Sequence, residues 1–296
     1  MDKLKLTLFE ILDTEATHWE LQQVQSIVSL VIRYSVALLG MSCFVQPFID
    51  MLRQQGSDDP ADPRLVSEEA RFALLIWRAA VLNNNGLAVP MSVFEEISDP
   101  SCHYLTINDA ANYLGAGVYK TVNKELQLIA FTSFRLPFLL PDSRYQNVKE
   151  LMGCLLSILI IAMVEKAPRG TKIFMKSDSM SALTWIEKNR GISKYAQVSF
   201  LAYSWLLIMT GYIIVGTSHI PGASDEMRPF DDLSRERVPI ELDPRFSINT
   251  SNNDRLIKLF AACSPVLDFD SSSPSGFTDF QTLESVIESI RDCLSI

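Results

Sequence analysis

Apolar and polar positions follow two rhythms along the 296 residues, and the change comes near residue 100. Before it the period is helical. Segments 22–39 and 44–53 carry apolar residues three and four apart, which predicts two helices. A third helix is predicted over 67–82, with Ser67 as its N-cap and Glu68 and Glu69 in the first turn, where the helix dipole favours negative charge. The stretches GSDDPADP (56–63) and NNNG (83–86) are rich in breakers and predict loops.

After residue 100 short β-favouring runs take over. Segments 104–107, 115–119 and 125–134, separated by turn residues, predict three strands in an antiparallel meander. A long apolar helix is expected over 143–167, stopped by Pro168 and Gly170. A strand over 172–176, helices over 179–189 and 195–209, a strand over 212–218 and a helix over 228–237 complete the order βββαβααβα. The fold class is therefore α/β, with a mixed five-stranded sheet flanked by helices. In the last segment, 254–263 is helix-favouring, SSSPS (271–275) reads as a linker, and 282–294 is amphipathic, with Leu283, Val286, Ile287, Ile290 and Leu294 on one side.

Two apolar runs raise the question of a membrane. The first, 151–164, has 14 residues without a charge, short of the ~20 that span a bilayer; the second, 27–48, contains Arg33. Both are expected to be buried helices, and no membrane partner is expected. Trp77, Trp185 and Trp205 fall on helical apolar positions and are expected in the core. The five cysteines form no CxxC pair, which excludes a zinc ribbon; scattered thiols and a start without a signal-peptide pattern suggest an intracellular protein of cytoplasm or nucleus.

The net charge of −9 argues at first against a nucleic-acid partner. Its distribution changes that. Residues 1–100 carry −7, residues 101–240 carry +3 and residues 241–296 carry −5. Charge and pattern together divide the chain into a helical segment (1–100), an α/β domain (101–240) and an acidic, partly helical tail (241–296).

Four carboxylates occupy informative places in the middle block: Asp109 after the first strand, Glu150 in the first turns of the long helix, Asp178 after the fourth strand, and Asp231 in the last helix. Functional residues in such sheets collect at strand C-termini and helix starts. Four acids converging there repel unless a cation joins them, and hard oxygen ligands select Mg²⁺ or Mn²⁺. Two such ions can hold the attacking and leaving oxygens of a phosphodiester.

The segments LTINDAANYLGAGVY (105–119), NVKEL (147–151), KSDSMSALTWIEKNRG (176–191) and HIPGASDEMRPFDDLSR (219–235) resemble the ribonuclease H domain of retroelement polyproteins. Asp109 with Gly115 and Gly117 matches the first-strand aspartate and its G-x-G. Glu150 matches the helix glutamate, Asp178 the third acid, and His219-Ile220-Pro221-Gly222 with Asp231 to Arg235 the family ending. Residues 21–53 and 67–82 resemble the segment that joins polymerase palm to ribonuclease H in DIRS-type and, more loosely, LTR-type elements. No Y-x-D-D-like strand pair occurs in the sequence, so a polymerase domain absent from these residues is a candidate partner.

The resemblance implies a ribonuclease H-like fold and endonucleolytic cleavage of RNA in RNA–DNA hybrids. It implies two ions of Mg²⁺ or Mn²⁺ held by Asp109, Glu150, Asp178 and Asp231, and His219 assisting proton transfer or product release. Asn147 would touch the RNA minor groove and 2′-OH. Ser179 stands where Asn is frequent and is a further substrate-side candidate, with Lys188 and Arg190 as phosphate contacts or, equally, a solvated helix end. The spacing from His219 to Asp231 is two longer than the common pattern, which leaves Asp232 and Asp225 as alternative fourth ligands. A second function stays open: an inactive retroelement-derived module serving as a structural or protein-interaction domain.

Overall fold

The computed structural model describes residues 4, 7–13, 15–35, 41–83, 102–138, 145–188, 194–264 and 280–294. The chain divides into two compact units, one of residues 1–89 with 266–283, the other of 90–265 with 284–296.

In the first unit a short strand, β1 (His18–Glu20), leads into helix α1 (Leu21–Ser35). Helix α2 (Gln46–Leu52), strand β2 (Pro63–Leu65) and helix α3 (Glu68–Asn83) follow, and β1 pairs antiparallel with β2. The Ser67 hydroxyl accepts from the Ala70 amide at 3.1 Å, the N-cap expected of it. Trp77 is buried and gives its indole N–H to the Phe44 carbonyl at 3.2 Å. The two three-residue strands have no sequence rhythm long enough to announce them. They are held by the loop between α2 and β2, where buried Arg64 donates to the carbonyls of Gln54 and Ser57 and pairs with Asp62.

The second unit is built on a mixed five-stranded sheet. Strands β3 (Tyr104–Ala110), β4 (Tyr113–Val122) and β5 (Glu125–Arg135) form the antiparallel meander. Strands β6 (Lys172–Ser177) and β7 (Ile213–His219) add in parallel beside β3, giving the order β5-β4-β3-β6-β7. Asn123 and Lys124, both at positive φ (51° and 69°), form the two-residue hairpin turn between β4 and β5. Helices α4 (Gln146–Ile160), α5 (Met180–Lys188), α6 (Gln197–Thr210) and α7 (Arg228–Ser234) interleave, so the main elements run βββαβααβα.

Helix α4 continues as a π-helical turn (Ile161–Glu165) and stops where Lys166 turns left-handed, just before Pro168. The 20 residues Gln146–Glu165 are long and apolar enough to cross a membrane, but the helix is largely buried against β3, β4 and α6. The core helix of a globular unit passes the same test. Helix α7 covers the other face of β3 and β4, where Leu105, Ile107, Phe131, Phe230 and Leu233 form a core. Strand β3 is therefore buried on both faces along its whole length.

The first strand is longer than the sequence suggests. It runs through Asn108 and Asp109 to Ala110, because both polar residues are paired across to β4 and Asn108 is also paired to β6. The segment after residue 240, set apart by its charge, lies largely in the same unit as the sheet. Ile248 donates its amide to Phe131 on β5 at 2.8 Å, and the Thr132 and Thr250 hydroxyls meet at 2.7 Å. Helices α8 (Asp254–Ala262) and α9 (Phe280–Leu294) complete the described chain, with Val286, Ile287 and Ile290 buried as their spacing predicts. Leu294 is only half-buried, and the Leu283 side chain lies outside the described residues.

Candidate metal centre

Three acids predicted from sequence meet at one end of the sheet. Asp109 lies in the last turn of the pleat in β3, Asp178 follows β6, and Glu150 projects from the second turn of α4. Each offers an oxygen, and these oxygens all lie within 4.8 Å of one another. The parallel pairing of β3 with β6 puts the first two side by side, since Asn108 pairs with Ser177 in register.

Small residues bring the third element in. A Cβ on Gly153 would meet Asn108 Nδ2 at 2.9 Å, so the glycine lets α4 approach β3 closely. Asn108 Nδ2 also points to the Glu150 carbonyl at 3.4 Å. Gln146, one turn before Glu150, donates to Glu150 Oε1 at 2.6 Å and to the Ala110 carbonyl, tying the helix start to the strand end.

The electrostatics are those of an anionic cluster that Arg235 and the hydrogen bonds from Ser234 and Gln146 offset only in part. Burial is the main cause that pushes all three carboxyls up, and neighbouring acids add to it: Asp231 at Asp109, Asp109 and Asp178 at Glu150, and Asp109 at Asp178. Glu150 is driven well above the ordinary range by burial and by the charges of Asp109 and Asp178. Asp178 is pushed up to about 6, with burial first and then the Asp109 charge and a hydrogen bond shared with Asp109. Glu150 is 3% exposed, and its Oε2 is buried with no hydrogen-bond partner. A buried carboxylate oxygen without a donor is costly. An all-oxygen donor set with an orphaned, buried oxygen fits a hard divalent cation.

Asp231 stands beside this trio without joining it. Its charge raises the Asp109 carboxyl, so the two are near. Its Oδ1, however, accepts from Arg235 Nε at 2.8 Å and from a terminal guanidinium nitrogen at 2.7 Å. The alternatives are turned to other arginines: Asp232 to Arg237 at 3.6 Å and Asp225 to Arg228 at 2.9 Å. The Ser234 hydroxyl lies between the Asp109 carboxylate and the Asp231 carbonyl, 2.8 Å from the latter.

The remaining candidates divide. His219 ends β7, exposed, with Nε2 3.1 Å from the Asp178 carbonyl oxygen. Gly222 of the same HIPG segment closes on Asp178; a Cβ there would stand 3.1 Å from its Oδ2. Asn147 is half-buried one turn before Glu150. Lys188 is exposed at the end of α5. Arg190 lies outside the described residues. Ser179 is buried, and its hydroxyl accepts from the Ala182 amide at 3.3 Å, so it caps the start of α5. That bond gives Ser179 a helix-capping part.

Gln146 and Arg235 were not singled out from sequence as partners of the acids. Their signal is the four-residue helical spacing to Glu150 and Asp231, which places the pairs on one face.

The raised carboxyls would make the binding of a metal here depend on pH. A raised acid holds its proton more tightly in the folded state, so the neutral cluster stabilises below the ordinary carboxylate pKa and that stabilisation is lost as pH rises through about 6 at Asp178. Divalent ions compete with those protons. Adding Mn²⁺ in place of chelator is expected to raise Tm more at pH 7.5 than at pH 5, read by scanning fluorimetry at fixed ionic strength. An equal gain at both pH values would contradict it.

No protein-family model matches the chain, and no curated protein matches it.

Proposed function

We propose that this chain is a divalent-metal-dependent endonuclease of the ribonuclease H type, derived from a retroelement reverse transcriptase, that hydrolyses the RNA strand of RNA–DNA hybrids. The observation that carries the reading is the meeting of Asp109, Glu150 and Asp178 oxygens within 4.8 Å, with Glu150 Oε2 buried and unpartnered. The mixed five-stranded sheet and the succession βββαβααβα support it, because they are what the sequence resemblance implies for a ribonuclease H-like fold.

Asp109, Glu150 and Asp178 would hold the Mg²⁺ or Mn²⁺ ions, with Asp231 adjacent. Such ions, when bound, neutralise the clustered carboxylates and polarise a phosphodiester for hydrolysis. The chain's own residues supply orientation. Gln146 fixes one oxygen of Glu150 and leaves the other free. His219, with Nε2 beside the Asp178 carbonyl oxygen and open to solvent, would pass a proton at the rim. Asn147 is half-exposed on the same helix face region and would meet the 2′-OH that distinguishes RNA from DNA. Lys188 and Arg190 would meet phosphates. The block 101–240 carries +3 overall and +7 without the four acids, so the charge favours a salt-sensitive grip on the hybrid. A reverse-transcriptase polymerase domain, absent from these residues, would supply tighter association, within the cytoplasm or nucleus.

Incubated with a hybrid labelled on its RNA strand, the protein is expected to nick RNA with Mg²⁺ or Mn²⁺ and to leave it whole in chelator. Whole RNA under both metals, from protein that keeps its circular dichroism, would leave the other reading: a silent retroelement-derived module with a structural or protein-interaction role.

A further inference from the structure

We propose that Arg235 holds the fourth carboxylate, Asp231, out of the metal cluster, so that the centre loads its divalent ions unequally. One ion binds tightly at Asp109, Glu150 and Asp178, and a second engages Asp231 only against the competition of Arg235. The proposal rests on the metal-centre reading of the three acids.

Three observations carry it. First, the three acids are already within 4.8 Å of one another, whereas Asp231 does not belong to that group. Second, Asp231 Oδ1 takes two guanidinium donors, at 2.8 and 2.7 Å, from a residue one helical turn on. Arg235 is therefore a resident cation at the place where a second metal would bring charge. Third, the pair is open to solvent, with the arginine side chain 51% exposed and the aspartate 31%. An ion pair that exposed is weak and breaks at small cost. Helix α7 can thus keep Asp231 occupied in the resting centre and still release it.

Arg235 is a positioning residue in this scheme, since it acts through Asp231. Its removal frees an acid beside an anionic cluster, which should strengthen the second ion and leave the first nearly alone. The geometry also separates Arg235 from Gln146, whose bond to Glu150 Oε1 belongs to the tight site.

The test is a Mn²⁺ titration of the full chain by calorimetry at constant ionic strength, on wild type and on Arg235→Ala, Arg235→Lys, Asp231→Asn and Asp109→Asn. Wild type is expected to show one tight and one weak step. Arg235→Ala should tighten the weak step about fivefold and move the tight step less than twofold. Arg235→Lys should fall between, and Asp231→Asn should lose the weak step. The Mn²⁺ concentration for half-maximal hybrid cleavage should drop in Arg235→Ala in step with the weak site. Two unequal steps that Arg235→Ala leaves unchanged would overturn the proposal while the metal centre stands. No Mn²⁺ binding in wild type, or binding that Asp109→Asn leaves intact, would overturn the metal-centre reading and the proposal with it.

Discussion

Replacing Asp178 by Asn is expected to abolish hybrid cleavage and, in the absence of metal, to make the protein more stable. The two effects have one cause. Asp178 sits against Asp109, its carboxyl is pushed up to about 6 by burial and by that neighbour, and Glu150 crowds the same space with an unpartnered oxygen. At pH 7.5 without metal the cluster carries repulsion that nothing in the trio offsets. Asparagine has the same shape and no charge, so it removes part of that repulsion. It also removes a metal oxygen, and cleavage should fall by at least the ~10²–10³-fold that loss of one electrostatic stabiliser costs an active site. The sign of the stability effect follows from the raised pKa: wild type loses stability as pH rises through about 6, and the variant, left with only Asp109 and Glu150 to ionise, loses less. The Tm of Asp178→Asn should therefore exceed that of wild type by a few degrees at pH 7.5 in chelator, converge with it near pH 4, and fail to rise with Mn²⁺ as wild type does. Single-turnover cleavage and paired melting curves measure both. A variant that still cleaves at near wild-type rate, or melts lower at pH 7.5 without metal, would contradict the placement of Asp178 in a strained anionic cluster.

Much of the sheet was legible because its breakers and apolar runs agree with the final packing. Pro168 and Gly170 follow the end of the long helix, and the apolar run before them is the stretch that lies against β3 and β4. The three acids were legible as positions, since strand ends and helix starts can be counted from sequence. Their distances were not. Asn108 and Asp109 look like the end of a strand by propensity, yet pairing with Ala116 and Gly115 carries β3 through them. Asp231 shows the limit most clearly. Its spacing to Arg235 was visible as four residues, but whether an acid faces a metal cluster or a guanidinium depends on side-chain geometry. Ser179 shows the converse, a polar residue beside the site whose hydroxyl is spent on a helix cap.

The G-x-G after Asp109 can be read physically as well as by resemblance, and it yields the largest expected loss of stability. A glycine inside a strand weakens it and signals that something approaches the backbone closely. Here that something is α7. A Cβ on Gly115 would stand 2.4 Å from the Phe230 carbonyl oxygen, 2.9 Å from Leu233 Cβ and 2.9 Å from the Ser234 amide nitrogen. Two of the three are backbone, so no rotamer change relieves the contact and the whole helix must move. Gly117 differs: its Cβ would meet the Phe230 ring, a side chain fixed in the core. Gly115→Ala should cost at least the ~1–3 kcal/mol of an overpacked core, seen as a lower urea midpoint. It should also reach the proposed metal centre, because α7 carries Asp231 and Ser234 and ends at Arg235, and Gly115 is paired directly with Asp109. The Mn²⁺ titration of the variant should change at the weak step before the tight one, since Glu150 and Asp178 come from other elements. Asp109, paired with Gly115 on β4 and next to Asn108, which pairs with both β4 and β6, has less freedom to follow the helix. A midpoint within about 0.5 kcal/mol of wild type, the range of neutral surface changes, would mean that α7 does not rest on the glycine as described.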